Sequence, residues 1–177
     1  MTRQLQLLLA TTMPRKAVPG RGVLDPSVTR LRVHPGDLDL YLHVNNGVYL
    51  QMMDVARSNF IADLGGFGPL KEAGWFPVVA ASTVKYRRSL QLWDRFEITT
   101  RVLGWDERVV YLEQVFTRQG DLCARGLLAG RFLARGSGER VPAPDVVALL
   151  GRDVVPPELP DDVAAWSRAV DVAHRTV

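Results

Sequence analysis

The residues of this chain best suited to chemistry crowd into one short segment. Asp37, Asp39, His43, Asn45 and Asn46 are followed closely by Tyr49, Asp54 and Arg57. A carboxylate and an imidazole so placed can hold or move a proton near neutral pH, where histidine titrates. A helical pattern starts at Asn45 or Asn46. The first turn of a helix has unpaired N–H groups with partial positive charge, which can polarise an oxygen set against them. Plainer uses exist for each residue: aspartate before a helix forms turns, asparagine caps helices, and a loop histidine bonds backbone. Asp54 and Arg57, three apart, share a helix face and are spaced for an ion pair, and Asp54 is an alternative catalytic carboxylate. Lys85, Arg87 and Arg88 could grip phosphates or end a solvated strand. Lys85 and Arg87 lie on one strand face and Arg88 on the other.

These residues need elements to hold them. Val28 to His34 reads as a short strand, ended by Pro35-Gly36. Tyr49, Met52, Met53, Ala56 and Phe60 recur at helical spacing, and Val48, Val55 and Ile61 widen the stripe into a largely buried helix. Gly65-Gly66 stops it. From Phe76 the period becomes two. Phe76 to Leu90 is a long strand with Val78, Ala80, Ser82, Val84 and Tyr86 on one face. Phe96 to Trp105, Val109 to Arg118 and Leu122 to Arg135 are three more, joined by turns at Gly104–Glu107 and Gln119–Asp121. Hairpin-length links make the strands antiparallel. Gly126 and Gly130 mark a bend or a close backbone approach. Short helices follow at Asp145 to Leu150 and from Asp161 to about His174. One apolar helix against an antiparallel sheet is an α+β design.

Composition narrows the class. The chain has 177 residues, 47% hydrophobic, with a net charge of +3, which fits one soluble domain. Cys123 is the single cysteine, so no internal disulfide forms, a reducing cytoplasmic setting is expected, and its apolar neighbours make it a core residue. No apolar run approaches the ~20 residues of a membrane span. Basic residues are scattered, which argues against nucleic acid as a partner. Met1 to Leu24 has no acidic residue and carries Arg3, Arg15, Lys16 and Arg21. That composition suits an organellar transit peptide or a disordered basic tail. We expect a flexible tail over residues 1–26, a domain over 27–140 and a helical extension over 141–177 packed on it.

The run Asp37-Leu38-Asp39, His43-Val44-Asn45-Asn46, Tyr49, Asp54 and Arg57 resembles the signature of the 4-hydroxybenzoyl-CoA thioesterase group and its fatty-acyl relatives. With Ser82 to Arg88 and Gly104 to Glu107, it is most similar to thioesterase superfamily member six-like proteins. The resemblance covers roughly Val28 to Arg135. It implies the hotdog fold, an antiparallel sheet wrapped around one central helix. It implies an acyl-CoA thioesterase that releases a fatty or aromatic acid, with Asp39 as nucleophile or general base and the Asn46 N–H polarising the carbonyl. His43 would assist catalysis, and Asn45, Tyr49, Lys85, Arg87 and Arg88 would bind substrate. Coenzyme A enters as part of the substrate, with no metal or other cofactor. A homodimer or a dimer of dimers is implied. Many active relatives carry glycine just before or at the His43 position, where this chain has Tyr41-Leu42. That departure keeps a second reading open, a non-catalytic binder of acyl thioesters or lipid.

Overall fold

The computed structural model describes residues 3–151 and 154–173. In chain order these form α1 (Arg3–Thr12), β1 (Ser27–Arg32), α2 (Asn46–Asp63), α3 (Phe67–Glu72), β2 (Trp75–Tyr86), β3 (Arg95–Trp105), β4 (Val110–Arg118), β5 (Asp121–Ala134), β6 (Arg140–Val141), α4 (Ala143–Leu150) and α5 (Asp161–Ala169). The sheet runs β1-β3-β4-β5-β2, wholly antiparallel, with β6 pairing β5 at Phe132 and Leu133. The expected strands and central helix are all present. The short α3 and β6 were not read from the sequence. The last helix ends at Ala169; the expected continuation to His174 falls partly outside the described residues.

Helix α2 forms the centre, with nine of its eighteen residues buried between Tyr49 and Asp63. Its first half buries Tyr49, Met52, Met53 and Ala56 among Phe96, Ile98, Phe116 and Ala124 of the sheet. Phe60, near its end, joins a second cluster with Val102, Val110, Leu112 and Leu128. Burying each such side chain contributes about 1.5–3 kcal/mol. Gly126 allows the closest approach: a Cβ there would lie 2.5 Å from Met53 Cε. Gly130 meets nothing closer than 3.6 Å and instead lines a cavity. The opposite face of the sheet is covered by α5 and its flanks, where Val163, Trp166 and Leu159 pack on Tyr111, Leu127 and Ala129.

Two readings of the alternation need correction. The β2 register shifts between Val79 and Ala81. A bulge inserts one residue, so the period of two slips past it. Ala80 therefore packs with the outer cluster and Val84 with the inner one, not together on one face. The turn expected at Gly104 starts later, because β3 runs on to Trp105. Asp106 Oδ1 accepts from the N–H groups of Arg108 and Val109 at 2.7 and 2.9 Å and closes the turn there.

The basic N-terminal stretch carries more order than a tail. Residues 3–12 form α1, which packs along α2. Arg3 is buried and donates from Nε and Nη2 to the two oxygens of Asp37, at 2.9 and 2.5 Å. Arg15 does the same to Asp63, the last residue of α2, at 2.6 and 2.6 Å, and Arg21 adds a third contact at 3.0 Å. The signal was in the partners: each arginine answers a buried carboxylate more than thirty positions away in sequence.

Removing one member of the Arg3–Asp37 pair leaves a charge uncompensated. Arg3→Ala is expected to lower the unfolding free energy by about 3 kcal/mol, measured by urea titration. Cys123 is fully buried, and burial pushes its thiol pKa up. It should resist iodoacetamide in the native protein and react once denatured, as mass spectrometry would show.

Candidate functional site

The loop ahead of α2 is a small pinned hairpin. Asp37 anchors its base: besides Arg3, it accepts from the His34 N–H at 2.7 Å, and its carbonyl accepts from Asn45 N–H at 2.8 Å. Leu38 and Val44 pair as an antiparallel bridge. Asp39 shapes the tip. Its Oδ1 accepts from the N–H groups of Tyr41 and His43 at 2.9 and 3.3 Å, and its N–H donates to the His43 carbonyl at 2.9 Å. Leu42 closes the turn at φ +60. That left-handed conformation suits glycine and costs a bulky residue roughly 1–2 kcal/mol.

Helix α2 begins where the loop ends. Asn45 is its N-cap, with Oδ1 accepting from Gly47 N–H at 2.8 Å and its carbonyl from Val48 N–H at 2.9 Å. Among the described residues the Asn46 N–H takes no partner, which leaves a donor at the helix tip. The Asn46 carbonyl accepts from the Tyr86 hydroxyl at 3.2 Å, tying the tip to the end of β2.

A cavity of about 210 Å³ joins these parts. It is lined by Asp39, His43, Asn46, Tyr49, Arg87 and Arg88, together with Val44, Tyr86 and Ser89. Six of the residues singled out in the sequence thus meet in one place. Asn45 and Lys85 are not among the lining residues. The Asn45 side chain is committed to its cap, and Lys85 lies exposed on the β2 edge. Arg88 pairs with Asp121, while Arg87 has no carboxylate partner among the described residues. The Tyr49 ring stands edge-on to Tyr86 at 5.0 Å, and burial pushes its hydroxyl pKa up to about 12, so it remains a proton donor at neutral pH. Tyr86 was the member sequence reasoning missed. Its place between Lys85 and Arg87, residues already singled out, was the available signal.

Asp54 belongs to different surroundings. It pairs with Arg57, whose Nη1 donates to Gln114 Oε1 at 2.9 Å. Gln114 is fully buried and donates from Nε2 to the Met53 carbonyl and to Thr100 Oγ1 at 3.1 and 3.0 Å. Asp54 and Arg57 border a second, apolar cavity of about 180 Å³ between α2, the sheet and α4. The ion pair read from the sequence is present, and it is locked from behind by a buried glutamine that the reading did not single out. Gln114 was visible as the one amide between Leu112 and Phe116 on an inward-facing strand side. No cluster of three metal-ligating side chains occurs among the described residues, and no helix among them is long and apolar enough to cross a membrane.

Residues 33–167 match the model of the Thioesterase-like superfamily. Protein THEM6 of Xenopus laevis is 37% identical over 140 residues, covering 78% of this chain and 66% of that protein. The chain therefore spans about two thirds of the frog protein. Protein THEM6 of Danio rerio is 33% identical over 160 residues, covering 90% of this chain and 77% of that one. A solved gentisyl-coenzyme A thioesterase shares the fold at a TM-score of 0.62 and 24% identity, over 70% of this chain and 98% of that structure. The long helix wrapped by an antiparallel sheet is the hotdog architecture expected from the motif. With the family model matching most of its length, the chain belongs to the Thioesterase-like superfamily.

Proposed function

We propose that the protein hydrolyses acyl-CoA thioesters to the free acid and coenzyme A. The carrying observation is the cavity that gathers Asp39, His43, Asn46, Tyr49 and Arg87 at the N-terminus of α2. The thioester carbonyl would sit against the Asn46 N–H, where a donor aimed at the developing oxyanion lowers the barrier by about 3 kcal/mol. Asp39 would attack the carbonyl carbon, the C–S bond breaking to release the coenzyme A thiolate and leave an acyl anhydride that water hydrolyses. Or it would draw a proton from a water that attacks directly, the C–S bond then breaking and the proton passing to the departing thiolate. His43, exposed at the rim, would carry a proton to the departing thiolate. Arg87 and Lys85 would meet the coenzyme A phosphates; Arg88, engaged by Asp121, contributes less. The gentisyl-coenzyme A thioesterase of like fold supports the reaction class. The β2 strand lies at the sheet edge, and its regular stretch from Ala81 to Tyr86 supports a homodimer built along that edge.

Leu42 favours the second reading, a non-catalytic binder of acyl thioesters. It occupies a left-handed turn position within the Asp39 loop, where a glycine would relax and reshape the loop freely.

Thiol release from acyl-CoAs of graded chain length and from one aromatic thioester decides between them. Asp39→Ala is expected to cut kcat by at least about a hundredfold with Asp54→Ala retaining turnover. Loss with Asp54→Ala alone would move the chemistry to the second cavity, and no turnover by the folded wild type would select the binder. Leu42→Gly is expected to relieve the turn, raising stability by up to about 1 kcal/mol after the added chain entropy of glycine. Thermal unfolding checks this.

A further inference from the structure

The end of the sheet that carries the Asp39 loop is apolar and cationic on its outside. Leu40, Tyr41 and Leu42 are 98%, 82% and 70% exposed, and Leu92 and Trp93 stand 41% and 48% exposed beside them. The two loops are joined: His43 pairs with Gln91, and Val44 N–H donates to the Leu90 carbonyl at 3.1 Å. Five large side chains thus form one outward rim. Leu42 and Trp93 are both held there at positive φ, +60 and +68, a conformation unfavourable for bulky residues.

Arginines flank the rim. The Arg32 guanidinium lies 4.8 Å from the Trp93 ring centre. Arg32 is the direct cross-strand partner of Arg95, and like charges so placed repel. Both line an open groove of about 740 Å³ with Arg30, His34 and Gln119. At this end Asp94, Glu97 and Asp121 are already engaged by Arg118, Arg30 and Arg88. Among the described residues Arg32, Lys85, Arg87 and Arg95 take no carboxylate partner, against one carboxylate, Asp39, that accepts only from backbone N–H groups, so the surface keeps a surplus of positive charge.

We propose that this end of the molecule docks on an anionic lipid surface. The Leu40–Tyr41–Leu42 and Leu92–Trp93 rim enters the boundary between headgroups and acyl chains, and Arg32 and Arg95 hold lipid phosphates. Tyrosine, tryptophan and arginine flanking exposed aliphatic side chains are the composition of such a boundary. A second copy fits less well, because a two-fold contact sets this patch against itself and gathers the unpaired arginines. The β2 edge, available for subunit contact, ends at Tyr86 beside the cavity and adjoins this rim, while Leu40–Leu42 and Leu92–Trp93 belong to the two loops and not to β2. If the cavity beside this rim is the thioesterase site, an acyl chain leaving the bilayer reaches Asp39 directly. The docking itself does not depend on that reading.

Co-sedimentation of the full chain with vesicles tests it. Binding is expected to phosphatidylcholine vesicles containing phosphatidylglycerol, with much less to phosphatidylcholine alone, with release by salt and a blue shift of tryptophan emission. Arg32→Gln with Arg95→Gln should weaken partitioning roughly fivefold per arginine. Leu40→Ser with Tyr41→Ser should abolish it while circular dichroism stays unchanged. Absence of binding to either vesicle overturns the proposal, as does equal binding to both. So does a change of oligomeric mass in the Leu40→Ser/Tyr41→Ser variant without vesicle binding by the wild type, or retention of inorganic pyrophosphate by the Arg32/Arg95 groove in its place. Vesicle binding is read without substrate and thiol release without vesicles, so either can fail alone.

Discussion

A helix with apolar side chains on most sides has to be covered on most sides, and α2 imposes that demand on the whole chain. The concave face of the sheet takes Tyr49, Met52, Met53 and Phe60. Coverage of the remainder falls to α1, brought in by charge. Asp37 lies in the loop before α2 and Asp63 at its end, both buried, and the arginines of the N-terminal stretch close on them one after the other. An unpaired carboxylate in that setting would be costly. The pairs therefore fix where the first helix lies as well as neutralising charge.

The same frame sets the site. Asp37 connects Arg3, the His34 backbone and the Asn45 backbone, so the loop bearing Asp39 hangs from the packing of α1. Tyr86 and Asn46 connect the far end of β2 to the helix tip. The cavity is built from a loop, a helix start and a strand end, each held by a different set of buried contacts. Asp54 has a separate support, the Arg57–Gln114–Thr100 chain running through the core. Two carboxylates on one stretch of sequence thus serve two different cavities.

Much of this was legible in the sequence. The period of 3.6 around Met52 and Met53 gave the central helix, and the period of two gave the sheet. Asp39, His43, Asn46 and Tyr49 were close enough in sequence to be read as a group. What failed to show were consequences of long-range pairing. The arginines of the first turns look like a solvated tail until Asp37 and Asp63 are seen to face them. The bulge after Val79 has no residue signal in Ala80-Ala81, so the alternation was carried straight through a point where it slips. Gln114 stood out only as an amide between apolar neighbours, and its role stayed hidden because its three partners come from β3 and two positions on α2.

The bulge has a further effect on the edge it interrupts. A long uncovered strand is a template on which copies of a chain can add without limit. In β2 the ladder is broken at Ala80, and Pro77 before it has no N–H to offer. Only the stretch from Ala81 to Tyr86 presents a regular run of backbone groups. A strand docking there can zip along a short length and then must stop. The irregularity that hides from the sequence pattern thus also shortens the part of this edge on which another strand could add, which works against open-ended growth into fibres.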